Sequence, residues 1–255
     1  MTDPNSPSTE PAPRREIVRV RHDLKRRVLR VARTARLSPA MLRVTLAGPD
    51  LAGFTSLGFD DHVKIFVPDG AGGEAARDYT PRRFDPAALE LDIDFALHEA
   101  GPATLWALSA APGQDLVVGG PKGSFVVPVD FDWHLLAGDE TALPAMGRRL
   151  AELSAGVRAI VFAELGSLGD RIPLESRAET QLHWLCRGAG EGLADALRGF
   201  VPPPGEGYAW GAGEAALARR LREVMVGDLG LPKDRVKVSA YWKAGAQAFH
   251  EEQGG

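Results

Sequence analysis

The sequence predicts two units of different class in one chain: an all-β barrel, then a smaller α/β unit built on a parallel sheet. Two observations carry this. From Ile17 to about Asp130 the apolar runs are short, β-rich and separated by turn residues. After Trp133 nearly continuous apolar strands alternate with helix-like segments, the pattern of a parallel sheet covered on both faces. The length of 255 residues suits either one large domain or two ordinary ones. The expected division is a disordered tail over residues 1–16, a β-barrel over 17–130 and an α/β domain over 131–255.

In the first unit, residues 28–37, 41–47, 62–68, 89–97 and 115–119 read as strands. Loops fall at 69–73, 109–113 and 119–123, where Gly, Asp and Ser cluster. In the second unit, residues 133–137, 157–164, 182–186, 208–211 and 236–242 read as strands. Helices are expected over 142–153, 192–198 and 214–226, the last amphipathic. Residues 166–180 are polar and poorly periodic, a long connection with one short strand near 171–173. Pro202-Pro203-Pro204 is a stiff loop.

Composition narrows the function classes. Hydrophobic residues make up 44% and charged residues 25%, with a formal net charge of −4. That balance gives a soluble globular protein without the basic field that nucleic acid or an anionic membrane would require. A single cysteine, Cys186, excludes a disulfide within the chain and a cysteine-ligated iron–sulfur cluster or structural zinc, and reads as a buried thiol. The Pro-, Ser- and Thr-rich first residues lack the apolar core of a signal peptide, and no apolar run reaches the ~20 residues of a membrane span. The expectation is a soluble, cytoplasmic protein, with nothing demanding more than a monomer.

Two segments carry the chemistry. Arg77-Asp78-Tyr79-Thr80-Pro81-Arg82 surrounds an aromatic face and a small hydroxyl with two guanidinium groups. In an extended segment Arg77 and Tyr79 share one face, and Thr80 and Arg82 the other. Downstream, Gly101-Pro102-Ala103 opens a helix-like run through Leu105 and Trp106, whose first-turn N–H groups are free for an anion. Both side chains are expected to pack inward. A flat redox ring with a diphosphate tail needs this combination, so the pair suggests a bound flavin dinucleotide. Taken singly, the hexapeptide also reads as an exposed edge strand, and Gly-Pro-Ala as an ordinary turn. Lone histidines His62 and His98 lack partners at metal-ligand spacing and read as structural or cofactor-lining.

Further motifs follow in the second unit. Gly138-Asp139-Glu140-Thr141-Ala142 follows its first strand, where ligands of open α/β sheets bind, although Asp139 or Thr141 would equally cap the next helix. Arg187 stands at another strand end, as a ligand of the extra phosphate of NADPH or as a solvated loop residue. Trp210-Gly211-Ala212-Gly213-Glu214 and Tyr241-Trp242-Lys243-Ala244-Gly245 end two later strands, with Trp242 either in the core or at a ligand.

Together and in this order, these segments resemble the siderophore-interacting proteins, flavin-dependent ferric-siderophore reductases with a ferredoxin reductase-like architecture. The resemblance covers nearly the whole chain after the tail. It implies FAD in the barrel and NADPH or NADH in the α/β domain. It sets Tyr79 against the flavin ring, Thr80 at the reactive nitrogen, and Arg77 and Arg82 near phosphate. It gives the diphosphate to Gly101, Pro102 and Ala103, with Trp106 behind them, and flanks the ring with Asp94, Phe95 and His98. NAD(P)H falls to Gly138, Asp139, Thr141, Ala142, Gly211, Gly213 and Glu214, with Arg187 added by its strand-end position. Lys64, and less directly Lys122 and Lys243, would line a basic pocket for an anionic ferric siderophore; a surface lysine is the plain alternative for Lys64. Family members often carry Gly-Tyr-Trp-Arg where this chain has Ala240 and Lys243, so any phosphate contact there loses the bidentate fork. No side chain is required as acid, base or nucleophile. The rivals are the same flavoprotein reduced by ferredoxin, a general flavin reductase, and a siderophore- or flavin-binding protein without turnover.

Overall fold

The computed structural model describes residues 15–97, 101–190 and 192–245. The first half contains β1 (Val18–Arg21), β2 (Arg26–Ser38), β3 (Met41–Ala47), β4 (Val63–Pro68), β5 (Glu74–Tyr79), β6 (Pro81–Asp85), β7 (Glu90–Ala96), α1 (Pro102–Ser109), β8 (Asp115–Gly119) and β9 (Gly123–Val126). Seven of these strands form one curled antiparallel sheet in the order β5-β4-β8-β2-β3-β7-β6, and β1 pairs with β9 beside it. Period-two alternation drives the curl. Val63, Ile65 and Val67 of β4 and Leu91, Ile93 and Phe95 of β7 all turn inward to one core. The chain passes from edge strand β5 to edge strand β6 through Thr80 alone, so the hexapeptide spans the open seam of the sheet.

The second half contains β10 (Trp133–Asp139), α2 (Leu143–Glu152), β11 (Arg158–Leu165), β12 (Glu179–Cys186), α3 (Leu193–Arg198), β13 (Gly207–Glu214), α4 (Ala215–Glu223) and β14 (Val236–Trp242). The five strands are parallel in the order β12-β11-β10-β13-β14. Strand order therefore reverses between β10 and β13, which opens a crevice at their carboxyl ends. Leu135 and Ala137 of β10 pack with α3 and α4 on one face, while Leu136 packs with α2 on the other.

Several expectations need correction. Residues 166–178 hold only a 3-10 turn at Leu168–Asp170, with no strand near 171–173. Cys186 is half-buried rather than buried, because β12 is an edge strand without a covering helix between it and β11. Leu105 is 54% exposed and faces away from the barrel, whereas Trp106 packs inward; an eight-residue helix on a curved sheet buries only one stripe.

The two halves share a core. Met41, Phe59 and Val127 of the first half pack with Leu136, Leu143 and Met146 of the second. Across the same junction, buried Asp60 accepts a hydrogen bond from Trp210 Nε1 at 2.9 Å and pairs with Lys237 Nζ at 2.6 Å. The Arg148 guanidinium of α2 donates to Ser56 Oγ at 2.8 Å, Ser56 O at 2.9 Å and Pro81 O at 3.1 Å. The seam hexapeptide is thus pinned from the second half.

Candidate active site at the junction

Tyr79 ends β5 with its ring on Phe95, centroids 4.4 Å apart, and Phe95 meets Trp106 of α1 at 5.7 Å. The three rings form a rigid ladder from the core outward. Phe95 has no exposed surface and supports Tyr79 from below. Burial pushes the Tyr79 hydroxyl above its ordinary pKa, partly opposed by Arg77, and keeps it neutral. Arg77 shares the Tyr79 face of β5 as alternation requires, and its Nη1 donates to Ala76 O at 2.9 Å.

Thr80 is buried at the seam beside the hydroxyl of Tyr241, which comes from β14 of the second half. Burial raises the Tyr241 pKa well above the ordinary value, so this hydroxyl also stays protonated. Arg82 passes across α2 at Gly147, where a Cβ would lie 3.0 Å from the Arg82 Nε. A mid-helix glycine costs up to about 1 kcal/mol, and the close guanidinium explains its presence. Burial lowers the Arg82 pKa, Asp94 opposes this, and the guanidinium makes no hydrogen bond among the described residues. Asp94 is buried on the face of β7 opposite Phe95, held by Arg43 Nε at 2.6 Å and Nη2 at 2.8 Å. It therefore compensates cations rather than lying beside Phe95, since neighbouring strand residues face opposite ways.

Gly101 precedes α1 with no side-chain cap, followed by Pro102 at the first helical position. Among the described residues no side chain caps the early N–H groups of α1. His98 lies outside the described residues.

The crevice of the second half is built differently. A Cβ on Gly138 would meet Ala212 O at 2.2 Å, and one on Gly213 would meet Asp139 Oδ2 at 2.6 Å, so both glycines permit close packing at the strand ends. Asp139 is buried and accepts from Thr141 N at 2.9 Å, Thr141 Oγ1 at 2.5 Å, Glu214 N at 2.8 Å and Trp242 Nε1 at 3.0 Å. Burial raises its pKa, with Thr141 and Trp242 pulling the other way. Asp139 is therefore the knot that ties three strand ends together, and Trp242 is an anchor for that knot. Glu214 caps α4 through Ala216 N at 2.6 Å and Leu217 N at 3.3 Å. Ala142 and Gly211 are buried.

Arg187 does not offer a free guanidinium. It forks onto both carboxylate oxygens of Glu140 and reaches Glu164 Oε2 at 3.3 Å. Glu164 Oε1 in turn accepts from Leu193 N at 3.2 Å. These contacts, the Glu140 hydrogen bonds first, hold its pKa above the ordinary value. No local pattern signals this clamp, because its members stand 23 and 47 positions from Arg187.

Among the lysines, Lys64 pairs with Asp78 across β4 and β5 at 2.9 Å. Gly119, which pairs with Lys64, leads through Gly120-Pro121 to exposed Lys122, so these two lysines share one barrel rim. Lys243 is exposed just beyond Trp242. His62 is exposed immediately before β4.

Residues 131–245 match the siderophore-interacting protein family, and residues 30–76 and 73–125 match the siderophore-interacting FAD-binding domain. An NADPH-dependent ferric-chelate reductase of Escherichia coli is 36% identical over 248 residues, covering 89% of this chain and 96% of that protein. The chain belongs to the siderophore-interacting protein family. Ferric vibriobactin reductase ViuB of Vibrio cholerae is 31% identical, with 89% and 93% covered. A siderophore utilization protein from T. fusca superposes with a TM-score of 0.84 at 33% identity, covering 91% of this chain and 97% of that one. The ferredoxin reductase of carbazole 1,9a-dioxygenase shares the fold, with a TM-score of 0.68 at 16% identity, covering 86% and 70%.

The family's FAD fits what the barrel presents. Tyr79 offers a braced aromatic face, Arg82 a desolvated cation without an acceptor among the described residues, and α1 a set of uncapped N–H groups. No helix among the described residues is long and apolar enough to cross a membrane.

Proposed function

We propose that this protein is an FAD-dependent reductase that takes electrons from NADPH or NADH and passes them to Fe(III) held in a siderophore. The observation that carries the reading is the meeting of Thr80, on the barrel seam, with Tyr241, at the carboxyl end of the parallel sheet. A cofactor cradle and a nucleotide crevice open onto the same junction. The names of the Escherichia coli and Vibrio cholerae relatives, a ferric-chelate and a ferric vibriobactin reductase, support the substrate class.

Bound FAD supplies the redox chemistry, accepting two electrons as hydride and releasing them singly. The chain supplies position and field. Tyr79, stiffened by Phe95 and Trp106, orients the ring face, and the α1 N-terminus with Arg77 and Arg82 takes up the phosphate charge. Thr80, held next to Tyr241, presents a hydroxyl at the seam. The small residues Gly138, Ala142, Gly211 and Gly213 let a nucleotide backbone approach the sheet. Lys64, Lys122 and Lys243 attract an anionic ferric siderophore and favour adding an electron to it. Fe(II) then leaves the hard oxygen donors because it binds them less tightly. The reading makes this a cytoplasmic monomer, where NAD(P)H is supplied.

Anaerobic stopped-flow mixing of the yellow protein with NADPH or NADH should bleach the flavin absorbance. Adding a ferric siderophore should restore it with release of Fe(II). Bleaching by reduced ferredoxin but by neither nucleotide would overturn the donor, and reoxidation by oxygen alone would overturn the substrate.

A further inference from the structure

Arg27 turns inward on β2 beside Leu29 and is only 5% exposed. Its Nε donates to Asp50 O at 3.1 Å, and its Nη1 to Gly120 O at 2.8 Å and Lys25 O at 3.4 Å. The Phe54 ring lies 5.1 Å from its guanidinium carbon. Nη2 makes no hydrogen bond, and Arg27 forms no ion pair, among the described residues. The Asp50 carboxylate, which accepts from Val28 N at 3.0 Å, acts on it only through space. Carbonyl dipoles thus satisfy some of its N–H groups but leave a desolvated positive charge with no counter-charge in contact.

The guanidinium borders a polar cleft of about 300 Å³ at the barrel rim, walled also by Arg21, His22, Asp23, Lys25, Thr55 and Gly120. Neither Arg21 nor Lys25 has an ion-pair partner among the described residues, and Asp23 is the one carboxylate in the wall. His22 is fixed there by Ser124. The Ser124 hydroxyl donates to Asp61 Oδ2 at 2.5 Å, so towards His22 Nε2, at 2.7 Å, it accepts. The cleft thus brings three cations, Arg27 included, against one carboxylate, with the two N–H groups of Arg27 Nη2 unused among the described residues. On the sheet, β8 stands between this cleft on β2 and the hexapeptide edge of β4 and β5.

We propose that this cleft is an oxyanion subsite, which takes the carboxylate or phosphate groups of a compact polyanion on the Nη2 donors of Arg27, with Arg21 and Lys25 drawing them in. The polyanion comes either as a free solute or as a charged arm of the ferric chelate; only the second source rests on the reductase reading.

Isothermal titration of the flavin-loaded protein at low ionic strength tests this, with nitrilotriacetate and redox-inert gallium(III) nitrilotriacetate as probes. Wild-type protein should bind nitrilotriacetate, and the Arg21→Glu/Lys25→Glu double variant should bind it at least about tenfold more weakly, as expected for losing two steering charges and gaining two repulsive ones. Arg27→Lys, which keeps the charge but loses the Nη2 donors, should also weaken it several-fold. The double variant changes only exposed side chains, and an unshifted melting temperature would show it folded. Equal binding of both probes, indifferent to Lys64→Ala, identifies a free anion. Tighter binding of the gallium complex, weakened by Lys64→Ala, identifies the chelate arm. Absence of binding to wild-type, or affinity unchanged in the double variant, overturns the site. The titration needs no electron transfer, so its outcome stands even if NAD(P)H fails to bleach the flavin.

Discussion

The barrel cradle and the sheet crevice face the same junction but handle their polar groups in opposite ways. In the cradle, Arg82 and the first turn of α1 keep donors without acceptors among the described residues. In the crevice, Asp139, Glu214 and Arg187 are held by neighbouring side chains and backbone. This contrast indicates the ligand for which each half is built. Unsatisfied, desolvated donors favour a permanently bound dianionic cofactor, because leaving them bare is costly. A self-satisfied crevice is stable empty and suits a ligand that comes and goes.

The largest expected effect is on cofactor retention. Tyr79→Ala and Arg82→Ala should each purify with most of the flavin lost, read from the ratio of flavin to protein absorbance, and in Arg82→Ala the thermal stability of the flavin-free protein should change little. Full flavin content in both would abolish the contrast at once. In the crevice the outcome should invert. Asp139→Ala removes the buried acceptor that Thr141, Glu214 N and Trp242 Nε1 share, and should cost about 2–4 kcal/mol of stability in chemical denaturation. The folded fraction should keep its flavin; flavin loss without a stability change would show that Asp139 belongs to the cradle.

Opening the clamp probes how closed the crevice is. Glu140→Gln and Glu164→Gln together release Arg187, and NADP⁺ affinity relative to NAD⁺ should rise by about three- to tenfold in titration calorimetry. An unchanged ratio would remove Arg187 from the nucleotide's reach. A pH-dependent effect concerns His134, buried within β10, whose pKa burial, assisted by Arg149, pushes down to about 3. The unfolded chain takes up this proton near pH 6.5 and the folded one does not, so its contribution to stability is lost as pH falls from about 6.5 towards 3. His134→Leu should flatten that part of the stability profile, and an identical acid limb would show the ring protonating in place.

Much of the fold is legible in the sequence because period-two and helical patterns report burial, and burial decides elements. The parallel strands after Trp133 can be placed within a few residues, since each is largely apolar. Strands β1, β5, β6 and β9 escape such a reading: they are short or carry charge on both faces, and only pairing defines them. Leu105 misleads for a related reason, because an apolar helix gives no phase until the surface beneath it is known. At the site, the residue types of the hexapeptide are readable, but their partners are not. Arg148, Arg43, Tyr241 and Glu140 approach Pro81, Asp94, Thr80 and Arg187 from distant positions in the chain.

The two-unit architecture and the chemical character of the hexapeptide Arg77 to Arg82 therefore follow from the amino-acid order alone, because both are local: side-chain alternation and residue type need no partner. Which of the charged groups are still free to bind something emerges only when the chain is folded. Arg82 makes no hydrogen bond among the described residues and Arg187 makes three, although each is an arginine in a motif-bearing segment. The reason is that satisfaction of a charge is a property of pairs, and strand order and the packing of the two halves choose the pairs.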